Sequence, residues 1–355
     1  MVVRGNIHAT IPVQPGQLQP SSIDLRLGAR AWPLLSSFLP GSSGVRRKLE
    51  RLALNELSLD TERPTLFQHD TVYLVEVEES LELPPGVWGR ANPKSSSGRL
   101  DIFVRLLTEH GHAFDLVPAG YRGRLYLEVT PQSFHTLVRR GDTLGQLRLA
   151  EGRPRLDAEG LAHVQATTPV IRWSDGRAGP LADDDTPGVQ MSVDLHDGDG
   201  NGIVGYQARI HRPPIDLARR DYEKDRYWSP IPADPVDEGV VLEPEQFYIF
   251  ATRERLSIPP GLCAELVPFD ATKGELRTHY AGFIDSGFGH PGVDGQGARL
   301  VLEIRTRDVP FLLEHGQPLF RVELMQNRTD PDVLYGRELA SNYQMQGLKL
   351  AKQFR

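Results

Sequence analysis

Apolar residues in this chain fall in short runs, several alternating with polar ones, and Pro-Gly and Arg-Gly-Asp type turns cut the runs off. Thr71-Val72-Tyr73-Leu74-Val75-Glu76-Val77 and Arg124-Leu125-Tyr126-Leu127-Glu128-Val129 are rich in β-branched and aromatic side chains. So are Gln246-Phe247-Tyr248-Ile249-Phe250-Ala251 and Arg299-Leu300-Val301-Leu302-Glu303-Ile304. With 34 Gly and 28 Pro residues spread along the chain, few stretches can hold a helix. One can: Ser43 to Asn55 sets Val45, Leu49, Leu52 and Leu54 at roughly helical spacing. The pattern predicts a mainly β protein built of sandwich or barrel units, with few short helices.

The pattern also repeats. Pro84-Pro85-Gly86 returns as Pro259-Pro260-Gly261, 175 positions on. At the same spacing Leu125-Tyr126-Leu127-Glu128 returns as Leu300-Val301-Leu302-Glu303, and Gly141 with Leu144 as Gly316 with Leu319. Chance matches would drift in register, so the spacing predicts a tandem duplication. The first unit is expected over 1–150 and the second over 190–330. A Gly-, Pro- and Asp-rich linker or hairpin is expected over 151–189, and a tail over 331–355.

Composition narrows the function. A chain of 355 residues is long for one core and fits two domains. The formal charge of −7 argues against a general nucleic-acid or anionic-membrane surface, though a local cationic cluster can still hold a small anion. No apolar run approaches the ~20 residues of a membrane span, and no basic-then-apolar leader opens the chain, so a cytoplasmic protein is expected. Cys263 stands alone, which excludes an intrachain disulfide and the paired Cys-x-x-Cys of the zinc deaminases.

Asn92-Pro93-Lys94-Ser95-Ser96-Ser97-Gly98-Arg99-Leu100 is the richest polar segment, with the hydroxyls, glycine and cations that a phosphate chain requires. Three other segments stand with it: Gln19-Pro20-Ser21-Ser22-Ile23-Asp24-Leu25-Arg26-Leu27-Gly28; Ala281-Gly282-Phe283-Ile284-Asp285-Ser286-Gly287-Phe288, followed by Leu302-Glu303; and the tail from Tyr335-Gly336 to Tyr343-Gln344-Met345-Gln346-Gly347. In their order along the chain the four resemble the dCTP deaminase family, relatives of the dUTPases. The resemblance implies two tandem dUTPase-like distorted β-barrel units, and zinc-free conversion of dCTP to dUTP and ammonia. It further implies a homo-oligomer with sites between units, and Mg2+ arriving with the triphosphate.

Such chemistry needs a carboxylate to move a proton from water to the departing amine, and donors for charge developing on the pyrimidine. The residues matching the family's catalytic positions are Glu303 or Glu128, Ser95 and Arg99. Nucleotide contacts are expected from Lys94, Ser96, Ser97, Gly98, Asp285, Tyr343 and Gln346. The two halves have kept different parts. In the second the loop is replaced by Phe269-Asp270-Ala271-Thr272-Lys273-Gly274, whose carboxylate would repel a triphosphate. In the first the hairpin reads Ala113-Phe114-Asp115-Leu116-Val117-Pro118, away from the Ile-Asp pattern. A composite site using Glu303 follows, with a site wholly in the first unit, using Glu128, as the alternative. dUTP pyrophosphatase or bifunctional activity, and non-catalytic nucleotide binding, are the other functions open at this point. Asp197-Gly198-Asp199-Gly200-Asn201-Gly202 has the start of a calcium loop but Ala208 at its twelfth position, so a plain turn is expected. Asp24 and Asp216 are expected either to take a structural role, such as closing a turn, or to contact ligand, and His110 and His112 to be solvated loop residues.

Overall fold

The computed structural model describes residues 5–179, 181, 188–234, 239–267, 277–278, 282–293, 296–306, 308–336, 339, 343–344 and 346–355. The first half builds a barrel-like sheet whose path runs Ile102–Thr108, Arg122–Pro131, Val72–Glu82, Ile23–Leu34, Thr143–Glu151, Val87–Pro93 and Leu116–Val117. The second half divides the same plan between two sheets. One runs Trp228–Pro232, Ile203–Ala208, Phe247–Leu256, Ala298–Arg305 and Arg277–Thr278; the other runs Val189–Ser192, Pro318–Gln326, Leu262–Val267 and Phe283–Ile284.

Strand register recurs at the sequence spacing. Tyr73 faces Val129 and Leu74 faces Glu128; Tyr248 faces Ile304 and Ile249 faces Glu303. Ala91 opposite Leu147 becomes Leu266 opposite Val322, again 175 residues on. The hairpin departs from that spacing. Gly89 faces Val117 where Ala264 faces Ile284, so Pro118 stands in the first half where Asp285 stands in the second.

Continuous apolar runs mark strands buried on both faces. Along Phe247–Leu256, Tyr248 and Phe250 enter the second half's own core, whereas Phe247 and Ile249 enter the first half's core. Each of those two side chains contributes roughly 1.5–3 kcal/mol of burial to the contact between halves. The same face of the first half is closed differently. There Leu74 and Tyr126 are covered by Trp32, Leu34, Phe38 and the helix Gly44–Leu52, which lays down Val45, Leu49 and Leu52. That helix is the one expected over 43–55. It stops at Leu52 because Ala53 turns to extended backbone, and its segment pairs back onto Leu34.

One expectation needs correcting. The segment 151–189 is not only linker or hairpin. It holds the helix Ala158–Thr167, whose Asp157 side chain accepts the Gly160 N–H at 2.9 Å, and a short strand Ile171–Arg172.

Candidate active site

The serine-rich loop folds as one helical turn, Ser95–Gly98, closed by amide donation from Ser97 and Gly98 to the Lys94 carbonyl. Lys94 leans back, its ammonium bonded to the Asp24 carboxylate and, at 3.1 Å, to the Thr143 hydroxyl. Asp24 also accepts from Gln146 Nε2 at 2.9 Å, so it orders the loop's cation rather than closing a turn. The outer face of Ala298–Arg305 meets this loop. Gly98 and the Glu303 carboxyl are so close that a Cβ on residue 98 would lie 2.6 Å from Glu303 Cδ.

Arg99 turns under the loop and is buried. Its Nη1 donates to the Lys349 carbonyl at 2.7 Å and its Nη2 to Gln346 Oε1 at 2.6 Å, while the Tyr343 ring lies 3.8 Å from the guanidinium carbon. Its buried Nε finds no acceptor among the described residues. Gln346 in turn donates to the Arg299 carbonyl at 3.0 Å, so the tail ties the loop of one half to the catalytic-strand candidate of the other. Leu350 and Ala351 then enter the first half's core.

These pieces surround one cavity of about 260 Å3. Lys94, Ser95, Ser96 and Arg99 line it from the first half, Phe283, Asp285 and Glu303 from the second, and Tyr343, Gln346 and Lys352 from the tail. Burial pushes the Glu303 carboxyl well above the ordinary carboxylate range; Arg99 opposes the shift and buried Asp101 adds to it. Asp285 is likewise raised by burial, against the pull of Arg148. Lys352 is lowered to about 8, first by burial and then by neighbouring Lys94 and Arg220.

Among the expected site residues, Ser97, Gly98 and Glu128 do not line this cavity. Ser97 donates its hydroxyl to the Leu144 carbonyl at 3.0 Å, away from the cavity. Glu128 is buried beneath the face closed by the helix Gly44–Leu52 and is held by Arg105 at 2.6 Å, which stacks on Phe114. The second-half loop 269–274, with Ala281, Ser341, Asn342 and Met345, lies outside the described residues.

Other residues had no signal in the sequence. Arg148 reaches from the first half to the Asp285 hairpin. Asp199 of the calcium-like loop accepts the Leu348 N–H at 2.6 Å and pairs with Arg299 at 2.9 Å, while Asp197 accepts from Asn201 and Gly202 amides. That loop is a turn which also anchors the tail. Asp216, expected to close a turn, does accept the Ala218 N–H but also pairs with Arg139 across the halves.

Comparisons with known proteins agree with this architecture. The model of the 2'-deoxycytidine 5'-triphosphate deaminase N-terminal domain matches residues 1–153, and that of the C-terminal domain matches residues 158–354. A curated relative, a dUMP-forming dCTP deaminase of Methanoculleus marisnigri, is 30% identical over 154 residues, 41% of this chain and 72% of that protein. The crystal structure of 2'-deoxycytidine 5'-triphosphate deaminase from Agrobacterium tumefaciens superposes with a TM-score of 0.83 at 37% identity, over 91% of this chain and 95% of that one.

Proposed function

The chain belongs to the dCTP deaminase family and is a hydrolytic deaminase of dCTP; from that premise we propose that it works through a single composite site per chain. The first half supplies the phosphate loop with Lys94, Ser95, Ser96 and Arg99, the second supplies Asp285 for the sugar and Glu303 for proton transfer, and Tyr343 and Gln346 cover the nucleotide. The observation that carries this reading is that Glu303 lies against Gly98 of the loop and lines one cavity with Ser95, Ser96 and Arg99, while Glu128 is tied to Arg105 under a helix.

The reaction then runs as follows. Glu303 takes a proton from water as the water oxygen bonds to C4 of the cytosine, and returns it to the amine, whereupon the C4–N bond breaks and ammonia leaves. A carboxyl whose pKa is raised by burial suits both steps. Ser95 and Arg99 donate to charge that develops on the ring and phosphates, and Arg99 Nε has no acceptor among the described residues. Among the described residues no three His, Cys, Asp or Glu side chains gather as metal ligands, so Mg2+ enters in this reading on the triphosphate. The recurrent strand registers support a duplicated chain, and a homo-oligomer is proposed on the resemblance alone. No helix among the described residues is long and apolar enough to cross a membrane, and a cytoplasmic location is proposed.

Replacing Glu303 and Glu128 separately by Gln tests the assignment. Ammonia release from dCTP should fall ~10²- to 10⁴-fold in E303Q and stay within a few-fold in E128Q. The reverse pattern would move the site into the first half. The dUMP-forming character of the Methanoculleus relative supports a second reading, in which dUTP is cleaved onward to dUMP. Separating dUTP, dUMP and pyrophosphate after incubation with dCTP decides between the two.

A further inference from the structure

Arg148, on the strand Thr143–Glu151, is buried between the halves and spends its donors on the second half's hairpin. Nη1 donates to the Ala264 carbonyl at 2.8 Å, and Nη2 contacts the Ile284 carbonyl at 3.4 Å and Asp285 Oδ1 at 3.5 Å. The guanidinium carbon lies 4.2 Å from the centre of the Phe283 ring. Nε and Nη2 also hold the Ser21 carbonyl and hydroxyl, each at 3.2 Å, and that hydroxyl donates to the same Asp285 Oδ1 at 2.5 Å. Two donors from the first half thus converge on one oxygen of a carboxylate from the second. The other oxygen, Oδ2, takes no hydrogen bond from the described residues, and Asp285 lines the cavity.

The arrangement has no twin. The position 175 residues beyond Arg148 is Glu323, which pairs with Arg155 at 2.9 Å, and the counterpart of Asp285 is Pro118. Charge has reversed at one end and vanished at the other, so the clamp serves only the cavity that holds Glu303. A buried carboxylate without a partner is costly, and Arg148 is the cation that offsets its burial. A deoxynucleoside 5'-triphosphate has one free sugar hydroxyl, at the 3' carbon.

Resting on the composite-site reading, we propose that Arg148, assisted by Ser21, is a positioning residue that fixes Asp285 so that its second oxygen accepts the substrate's 3'-hydroxyl. Sugar recognition by one half is thereby set by an arginine of the other. Guanidinium geometry matters here because five acceptors, three backbone carbonyls and two side-chain oxygens, are held at once, which an ammonium cannot do in one pose.

The test compares kcat/KM for dCTP and for 2',3'-dideoxy-CTP in wild type, R148M, R148K and D285N, following ammonia release. Wild type should favour dCTP by ~10- to 100-fold, the range of a hydrogen bond to a charged group. R148M should shrink that preference to within about threefold by raising KM for dCTP while kcat for the dideoxynucleotide stays level, and R148K should restore part of it. A fold defect alone would lower both substrates together and leave the ratio intact. If D285N loses the preference and R148M keeps it, the positioning role is wrong and the composite site stands. If wild type shows no preference, or D285N keeps it, the sugar role of Asp285 itself fails. Should R148M not fold, S21A removes the hydroxyl that donates to Oδ1 and accepts from Arg148 Nη2, and an unchanged preference in that variant overturns the proposal.

Discussion

Gly98→Ala separates the chemistry from the fold more cleanly than any change to an ionisable group. Residue 98 ends a helical turn in a backbone conformation open to any L-residue, so alanine adds no backbone strain and favours the turn by roughly 0.5–1 kcal/mol. The added methyl would sit 2.6 Å from Glu303 Cδ, against an ordinary contact of 3.4 Å or more. Because Glu303 Oε2 would lie nearer still, the carboxyl must retreat by more than about 0.8 Å, the difference of those two distances. It is the far end of a flexible side chain and can do so without disturbing the sheet. A misplacement near 1 Å at a reacting group costs ~10²-fold in rate. G98A should thus melt at or slightly above the wild-type temperature and bind dCTP with little change in KM, since Ser95, Ser96 and Arg99 are untouched. Its kcat for ammonia release should fall about a hundredfold. Wild-type kcat in a folded G98A protein would mean that Glu303 does not work from the place it occupies, and would remove the main support for its role.

Other consequences can be measured directly. The Glu303 carboxyl is raised by burial above its ordinary 4.5, so the native state holds its proton more tightly than the unfolded chain. Its contribution to stability is fully present below that value and lost as pH rises through the folded pKa. E303Q should accordingly melt higher than wild type at pH 8, with the gap closing towards pH 4; a gap of opposite sign would contradict the burial argument. Arg105→Met leaves Glu128 buried and unpaired. Chemical denaturation should show a loss of about 3 kcal/mol, the low end for a buried pair because a quarter of the Arg105 side chain is in water. Turnover per folded R105M molecule should stay within a few-fold of wild type, and a collapse matching E303Q would put Glu128 back in the chemistry. Gln346→Ala strips a 2.6 Å acceptor from Arg99 and should raise KM for dCTP about tenfold, on ~1.5–3 kcal/mol for a bond to a charged group. An unchanged KM would make the tail a bystander.

What the sequence makes legible follows from how local each signal is. Strands such as Val72–Glu82 and Phe247–Leu256 announce themselves through β-branched and aromatic residues, and the repeat spacing survives into the register of paired strands. The loop residues 94–99, the hairpin Asp285 and Glu303 can be singled out because their motifs are contiguous. The choice between Glu303 and Glu128 cannot, since both stand in the same local pattern. What separates them is that Phe247 and Ile249 pack onto the other half, whereas Leu74 and Tyr126 sit beneath the helix Gly44–Leu52. Arg148 looks like an ordinary strand residue until the second half is laid against it. The helix Ala158–Thr167 is hidden by the Gly and Pro around it, although Asp157 before Leu161 and Val164 is a start signal in plain view. Asp199 is hidden by an Asp-Gly repeat that reads as a generic turn, and its role depends on a tail that arrives from 149 residues away.

The central claim is that one pocket per chain joins the loop of the first half to the carboxylate of the second. A crystal structure of E303Q with dCTP and Mg2+ bound tests it most directly. The claim predicts one nucleotide per chain, with its phosphates on residues 94–99 and its cytosine amine facing residue 303. A nucleotide whose amine faces Glu128, or two nucleotides in each chain, would contradict it.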